Sequence, residues 1–317
     1  MTTENNTRLT ARVGYMPRFR WSFLLPQYWG VWFGVFALLL LGLLPYRVRD
    51  KIAAKLGVII GHKAKKQRHR ATVNLKHCFP QWSHQQREEV IDKMFIVVTQ
   101  VMLGIGEVAI RSKKHLHHRC EFIGWQEIEK AQANGDNIIF MVPHGWAIDT
   151  AGIMMHSQGL PIMAMYNPHR NPLVDWLWTK VRLRFGGGAH PRQNGIKPFL
   201  TKVRNGEMGY YLPDEDYGEE LSVYSPFFAT EKATLPGLYK MAKVTKAKIL
   251  PMFPRYDAKQ GKYIFEIHPA LELTKDPMQS ARAMNEKIEE FVTPNPEQYV
   301  WILRLLKTQK NGEDIYR

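Results

Sequence analysis

His144 and Asp149 bracket the stretch His144-Gly145-Trp146-Ala147-Ile148-Asp149, written H-x-x-x-x-D. A neutral imidazole with a pKa near the working pH can take a proton from an alcohol. A carboxylate on the other ring nitrogen would fix the tautomer and stabilise the imidazolium as it forms. The chain has no G-x-S-x-G turn, so a serine nucleophile lacks its usual setting and the substrate's own hydroxyl would attack. On one continuous helix a five-residue separation turns the two side chains roughly 140° apart. His144 must therefore lie in a turn, kinked by Pro143 and Gly145, with Asp149 in the first turns of a following helix. Backbone N–H groups at that helix start could serve an oxyanion. Glu127 and Glu129 upstream are alternative partners for His144 if the fold brings them near.

The elements that must hold this turn are legible as short apolar runs. Residues 137–142, Asn-Ile-Ile-Phe-Met-Val, stop at Pro143, which places His144 at the C-terminal end of a strand. Further runs occur at 161–165, 208–212, 248–253 and 263–267, with helical stretches at 125–134, 172–184, 196–204, 235–244 and 278–292. Continuous apolar runs alternating with helices predict an α/β fold with a mainly parallel central sheet flanked by helices. Ser83 with Gln86 forms a capping box that opens a helix running to about Ile110. Residues 301–307 also read as helical, and 111–118 as a basic loop.

Residues 28–46, YWGVWFGVFALLLLGLLPY, carry no charge and are rich in Trp and Tyr at their ends. That is close to the roughly 20 apolar residues needed to cross a bilayer. The run begins too late and lacks a small-residue cleavage site, so it is no signal peptide. Arg47, Arg49, Lys51, Lys55, Lys63, Lys65, Lys66, Arg68 and Arg70 follow it, which places the larger C-terminal part in the cytoplasm whether the segment spans once or only dips in. Residues 50–70 read as a basic amphipathic helix suited to an anionic surface or simply to solvent. The simplest division is a membrane-anchoring segment over 1–50 and a catalytic domain over 51–317. The formal charge of +15 calls for an acidic partner: nucleic acid, anionic lipid or an acidic carrier protein. Cys78 and Cys120 make no disulfide framework, and His115, His117 and His118 beside Cys120 match no zinc spacing. No metal is expected.

Taken with more distant blocks, the His144–Asp149 stretch resembles the glycerolipid acyltransferase motif, and more narrowly the late acyltransferases of lipid A biosynthesis. The blocks are Arg70-x-x-x-Asn74-Leu75 with Cys78-Phe79-Pro80; Asn171-Pro172-Leu173 with Asp175-Trp176; and Arg182-Leu183-Arg184. Pro213-Asp214-Glu215-Asp216-Tyr217-Gly218 with Pro226-Phe227-Phe228, and Pro296-Glu297-Gln298-Tyr299, complete them. The resemblance covers nearly the whole chain. Its wording at His144–Ala147 and Phe185–Gly187 is most similar to members that add the last secondary chain, often myristoyl. It implies a glycerolipid acyltransferase-like fold with an N-terminal membrane helix, at the bacterial inner membrane. The implied activity moves an acyl chain, myristoyl or lauroyl, from acyl carrier protein to a 3-hydroxyacyl chain of a lipid A precursor, without a cofactor. Arg182 and Arg184 are then expected to hold phosphate groups, and Asp214 and Asp216 to lock an arginine or bind sugar hydroxyls. Asn167 and Arg170 would sit on the same rim, with Arg192 a weaker candidate. An acidic carrier and a phosphorylated lipid account for the positive charge; a membrane-tethered nucleic-acid binder would leave His144–Asp149 unexplained. The alternatives within this chemistry are transfer to glycerol phosphate or a lysophospholipid, with thioesterase action as a side reaction.

Overall fold

The computed structural model describes residues 17–317. Among them the central sheet has seven strands, in the order β1-β9-β8-β2-β5-β3-β4. They are β1 (Cys120–Ile123), β2 (Asn137–Met141), β3 (Ile162–Tyr166), β4 (Gly188–Pro191), β5 (Met208–Tyr211), β8 (Ala247–Asp257) and β9 (Lys262–Ile267). A separate antiparallel hairpin is formed by β6 (Val223–Phe227) and β7 (Thr230–Thr234). β8, β2, β5, β3 and β4 run parallel to one another, while β9 turns back antiparallel to β8. The fold is therefore α/β with a mainly parallel sheet, as the apolar runs predict.

β2 shows why those runs carry no alternation. Ile138 and Phe140 pack into one core layer, Ile139 and Met141 into another, and all four are buried. The first layer is covered by α4 (His84–Ile110), α6 (Trp125–Ala133) and α7 (Ile148–Ser157). The second is covered by α9 (Lys197–Arg204), α10 (Leu238–Thr245) and α11 (Pro277–Val292). The remaining helices are α1 (Trp29–Leu43), α2 (Tyr46–Lys63), α3 (Lys65–Cys78), α5 (Lys113–His118) and α8 (Pro172–Arg182). α4 starts as read from sequence: Ser83 Oγ accepts from Gln86 N at 3.1 Å, and Gln86 Oε1 accepts from Ser83 N at 2.7 Å.

Two readings need correction. Residues 50–70 do not form one helix, because the chain breaks at Ala64 between α2 and α3. Residues 301–307 are not helical either. Asn74 Nδ2 donates to the Trp301 and Leu303 carbonyls at 2.6 and 2.8 Å, capturing acceptors that a helix would use internally. The basic stretch before β1 carries the short helix α5, with Ser112 Oγ as its N-cap acceptor.

Among the described residues two helices are long and apolar enough to cross a membrane, and their burial separates them. Over residues 84–110 the apolar window is 61% buried, so α4 is a core helix; over residues 26–43 it is 6% buried. Trp29, Phe33, Phe36, Leu40 and Leu43 line one exposed face of α1, at helical spacing. The opposite side docks on α4 by backbone approach. A Cβ on Gly106 would lie 2.1 Å from the Leu38 carbonyl oxygen, and one on Gly42 would lie 2.4 Å from the Gly106 carbonyl carbon. Beneath α2, Arg49 pairs with Glu107 in the interior; Arg119 Nε meets the same carboxylate at 2.9 Å. Asp50 accepts from Tyr256 Oη at 2.5 Å. Within this cluster Arg49, Asp50, Glu107 and Arg119 each have an oppositely charged or hydrogen-bonded partner, the condition under which such a cluster is tolerated.

Gly106→Val should push α1 off α4 and destabilise the protein by about 1–3 kcal/mol, as overpacking of a tight contact does. Thermal unfolding in detergent checks this; an unchanged melting temperature would contradict the docking.

Candidate active site

β2 delivers the chain to Pro143, and His144 follows in the turn that leads to α7. The turn is held by the C-terminal segment rather than by the sheet alone. Trp146 N donates to Gln298 O at 3.1 Å, and Val300 N donates to His144 O at 2.9 Å. Gln298 in turn holds β8, accepting from Tyr256 N and donating to Tyr256 O at 3.0 Å each. The 296–299 block thus braces the turn that carries His144.

His144 meets a carboxylate, but it is Asp214. His144 Nδ1 lies 2.6 Å from Asp214 Oδ1, and His144 N donates to Asp214 Oδ2 at 2.7 Å. Tyr299 Oη donates to that same Oδ2 at 2.7 Å. Asp214 stands just past β5, parallel to and hydrogen-bonded beside β2, so adjacent strand ends bring the pair together. The carboxylate is fully buried, and burial pushes its pKa up. The charge and hydrogen bonds of His144, with the Tyr299 hydroxyl, outweigh this and hold it below the ordinary value. Burial likewise disfavours the imidazolium, yet the Asp214 charge and hydrogen bond, aided by Glu215, raise the His144 pKa above its ordinary value. Glu215 Oε1 lies 3.6 Å from His144 Nε2. Its Oε2 accepts from Arg192 Nη1 at 2.6 Å and from Tyr217 Oη at 2.7 Å.

The expected His144–Asp149 contact is therefore corrected. Asp149, one residue into α7, faces α8 instead. Its Oδ1 accepts from Arg182 Nε at 2.6 Å, and its Oδ2 from Arg182 Nη2 at 3.2 Å and Trp178 Nε1 at 3.1 Å. Arg182 also lies over the Tyr166 and Trp178 rings. The other candidates divide. Asn167 lines the cavity beside the site, with Arg182 and Arg192. Arg170 is exposed on the loop before α8. Arg184 is committed elsewhere, donating to the Val108 carbonyl and, at 2.7 Å, to the Arg111 carbonyl. Asp216 is occupied by the C-terminal segment, accepting from Thr308 N at 2.7 Å and Thr308 Oγ1 at 2.6 Å. Glu127 and Glu129 make no hydrogen bond to His144 among the described residues. His115 bonds Glu107 and His117 bonds Ser157, so those histidines do not converge.

From His144 a cavity of about 230 Å³ runs along α7. Ile148, Gly152, Ile153 and His156 line it on the helix side, and Ile162, Ala164 and Tyr210 on the sheet side. An ionisable dyad thus opens onto a largely apolar slot, an arrangement suited to a chain with a reactive carbonyl at one end. Tyr299, Glu215 and Trp178 had no assigned role from sequence, although the 296–299 and 213–218 blocks contain the first two.

The sequence profile of bacterial lipid A biosynthesis acyltransferases matches residues 16–308. A lipid A biosynthesis acyltransferase of Haemophilus influenzae is 69% identical over 313 residues, 99% of this chain and 98% of that protein. The lipid A biosynthesis myristoyltransferase of Escherichia coli K12 is 45% identical over 314 residues, 98% of this chain and 95% of that protein. The lauroyltransferase of the same organism is 31% identical over 303 residues, 94% and 97% of the two chains.

The two carboxylates should separate in pH profiles of kcat/KM. Wild type should gain activity as pH rises through the raised His144 pKa, above the ordinary value of about 6.5. In Asp214→Asn burial remains while the opposing charge is gone, so the limb should move to lower pH and the rate fall roughly 10³-fold. Asp149→Asn should leave the limb in place and act through substrate use. A limb that moves in Asp149→Asn and stays in Asp214→Asn would reverse the assignment.

Proposed function

Since this chain belongs to the bacterial lipid A biosynthesis acyltransferase family, we propose that it transfers a secondary fatty acyl chain from acyl carrier protein to a 3-hydroxyacyl chain of a lipid A precursor. The observation that carries the mechanism is the Asp214–His144 pair at the open end of the apolar slot. With Nδ1 engaged by Asp214, the free Nε2 of neutral His144 takes the proton from the acceptor hydroxyl. The oxygen attacks the thioester carbonyl, forming the C–O bond; the C–S bond then breaks and the proton passes from Nε2 to the departing thiolate, which leaves as the carrier's thiol. No enzyme nucleophile enters this sequence. The N-terminus of α7, just beyond His144, offers positive potential to the developing oxyanion.

Arg182 is the arginine we assign to phosphate, either the carrier's phosphopantetheine or the lipid's. Asp149 and Trp178 hold it at the cavity rim, and its side chain remains one-quarter exposed. Asn167 belongs to the same rim; Arg192, tied to Glu215, shapes the acceptor side. A myristoyl donor is favoured over lauroyl, because identity is 45% to the myristoyltransferase and 31% to the lauroyltransferase.

The membrane face we assign is the exposed side of α1 together with Leu56, Ile59 and Ile60 of α2. Arg47, Lys51, Lys55, Lys63, Lys65 and Lys66 are exposed beside it, as a cytoplasmic, anionic leaflet would favour. Because α1 is packed along one side against α4, insertion of one face into the inner membrane accounts for it better than a complete span.

The decisive assay supplies the purified protein with myristoyl-loaded acyl carrier protein and a lipid A precursor lacking secondary chains, read by mass spectrometry. One added acyl chain with wild type, and none with folded His144→Ala, is the expected outcome. Transfer only to a lysophospholipid, or hydrolysis alone, would replace this reading with one of its alternatives.

A further inference from the structure

The last residue of α7 that lines the slot is one that the transfer chemistry leaves unused. Ile148, Gly152 and His156 recur every four residues along α7 and all line the cavity. Eight residues of helix carry it about 12 Å from Ile148 to His156. His156 is 9% exposed. Its Nδ1 lies 3.1 Å from the Leu160 carbonyl oxygen, so this nitrogen carries the proton, and burial drives the pKa down to about 4. The ring is a neutral, fixed plug. Its outer edge is clasped by the loop before β4: a Cβ on Gly187 would fall 1.8 Å from His156 Cε1 and 1.9 Å from Nε2, and Gly187 has φ +92°. Neither a side chain at Gly187 nor a swing of the ring toward it can be accommodated. Midway along the slot Gly152 faces open space, with nothing within 4 Å of a Cβ built on it.

We propose that His156, backed by Gly187, is the floor of the donor's acyl pocket and sets the longest chain the protein transfers, while the bare Cα of Gly152 leaves the middle of the pocket clear. The ligand is a saturated acyl chain whose thioester carbonyl rests at His144 and whose methyl end abuts the imidazole. A chain longer than the slot would have to bend or hold its carbonyl back from Nε2, and a rigid floor turns that misplacement into lost rate. This proposal rests on the reading above, that the slot holds the donor chain.

The test measures transfer rates with acyl carrier protein loaded with single chains from decanoyl to stearoyl, at fixed acceptor. His156→Ala should move the optimum to longer chains, raising the ratio of the next longer chain to the wild-type optimum roughly tenfold, as a gained methylene site does. Gly152→Leu should move it to shorter chains. If His156→Ala does not fold, His156→Asn, smaller but still an N–H donor for Leu160, should move it the same way. A shortened profile in Gly152→Leu beside a wild-type profile in the His156 variants would overturn the floor and leave the donor slot standing. Wild-type donor profiles in all variants would overturn the slot itself. So would wild-type donor profiles beside an altered preference in a second series, run at fixed donor with acceptors of varied chain length, which would show that the acceptor's chain lies there.

Discussion

A buried carboxylate with both oxygens hydrogen-bonded organises this structure. Asp214 lies at the end of β5 and binds both the backbone and the ring of His144, then the hydroxyl of Tyr299. Three segments distant in sequence meet on one charge: the turn after β2, the turn after β5 and the C-terminal segment. An unpaired buried carboxylate would be costly, so the surrounding chain must assemble completely around it. The C-terminal segment accordingly pairs with the His144 turn as though it were a further strand, with Gly145 opposite Tyr299. In the mechanism proposed above, the same charge gives the transfer its base, because it fixes the imidazole and leaves Nε2 facing the cavity side.

The H-x-x-x-x-D spacing serves two tasks from one turn. His144, in the turn, faces the end of β5, and Asp149, the second residue of α7, faces α8. There it converts Arg182 from a loose surface cation into a fixed fork, flanked by the Trp178 and Tyr166 rings. On the proposed reading, the motif would couple proton transfer to phosphate positioning without placing its two ends in contact. α8 is tied in turn toward the apolar N-terminal region, where Phe19 and Phe23 pack against Trp176. The Arg182 helix and the exposed apolar N-terminal segment are thus in contact.

Much of this was legible because it is local. The unbroken apolar runs at 137–142 and 208–212, the capping box at Ser83 and the bare charge-free stretch at 28–46 each report on their own neighbourhood. β4 was not legible, since Gly-Ala-His-Pro carries no strand signal and is made a strand by pairing with β3. The 301–307 stretch reads as helical until Asn74, more than two hundred residues away, takes its carbonyls. The resemblance marks Asp214 as a site residue, but proximity in sequence points to Asp149 as the partner of His144. Only the order of the parallel strands, with β5 beside β2, shows that residue 214 is nearer to His144 than residue 149 is. Arg184 and Asp216 sit beside functional residues in the chain and carry structural bonds instead.

The most direct test concerns the proton between His144 and Asp214. In protein labelled with nitrogen-15 histidine, a hydrogen-bonded Nδ1 proton on His144 gives a low-field resonance, assigned by its loss in His144→Ala. The account predicts that it survives in Asp149→Asn and disappears in Asp214→Asn. Survival in Asp214→Asn with loss in Asp149→Asn would contradict it.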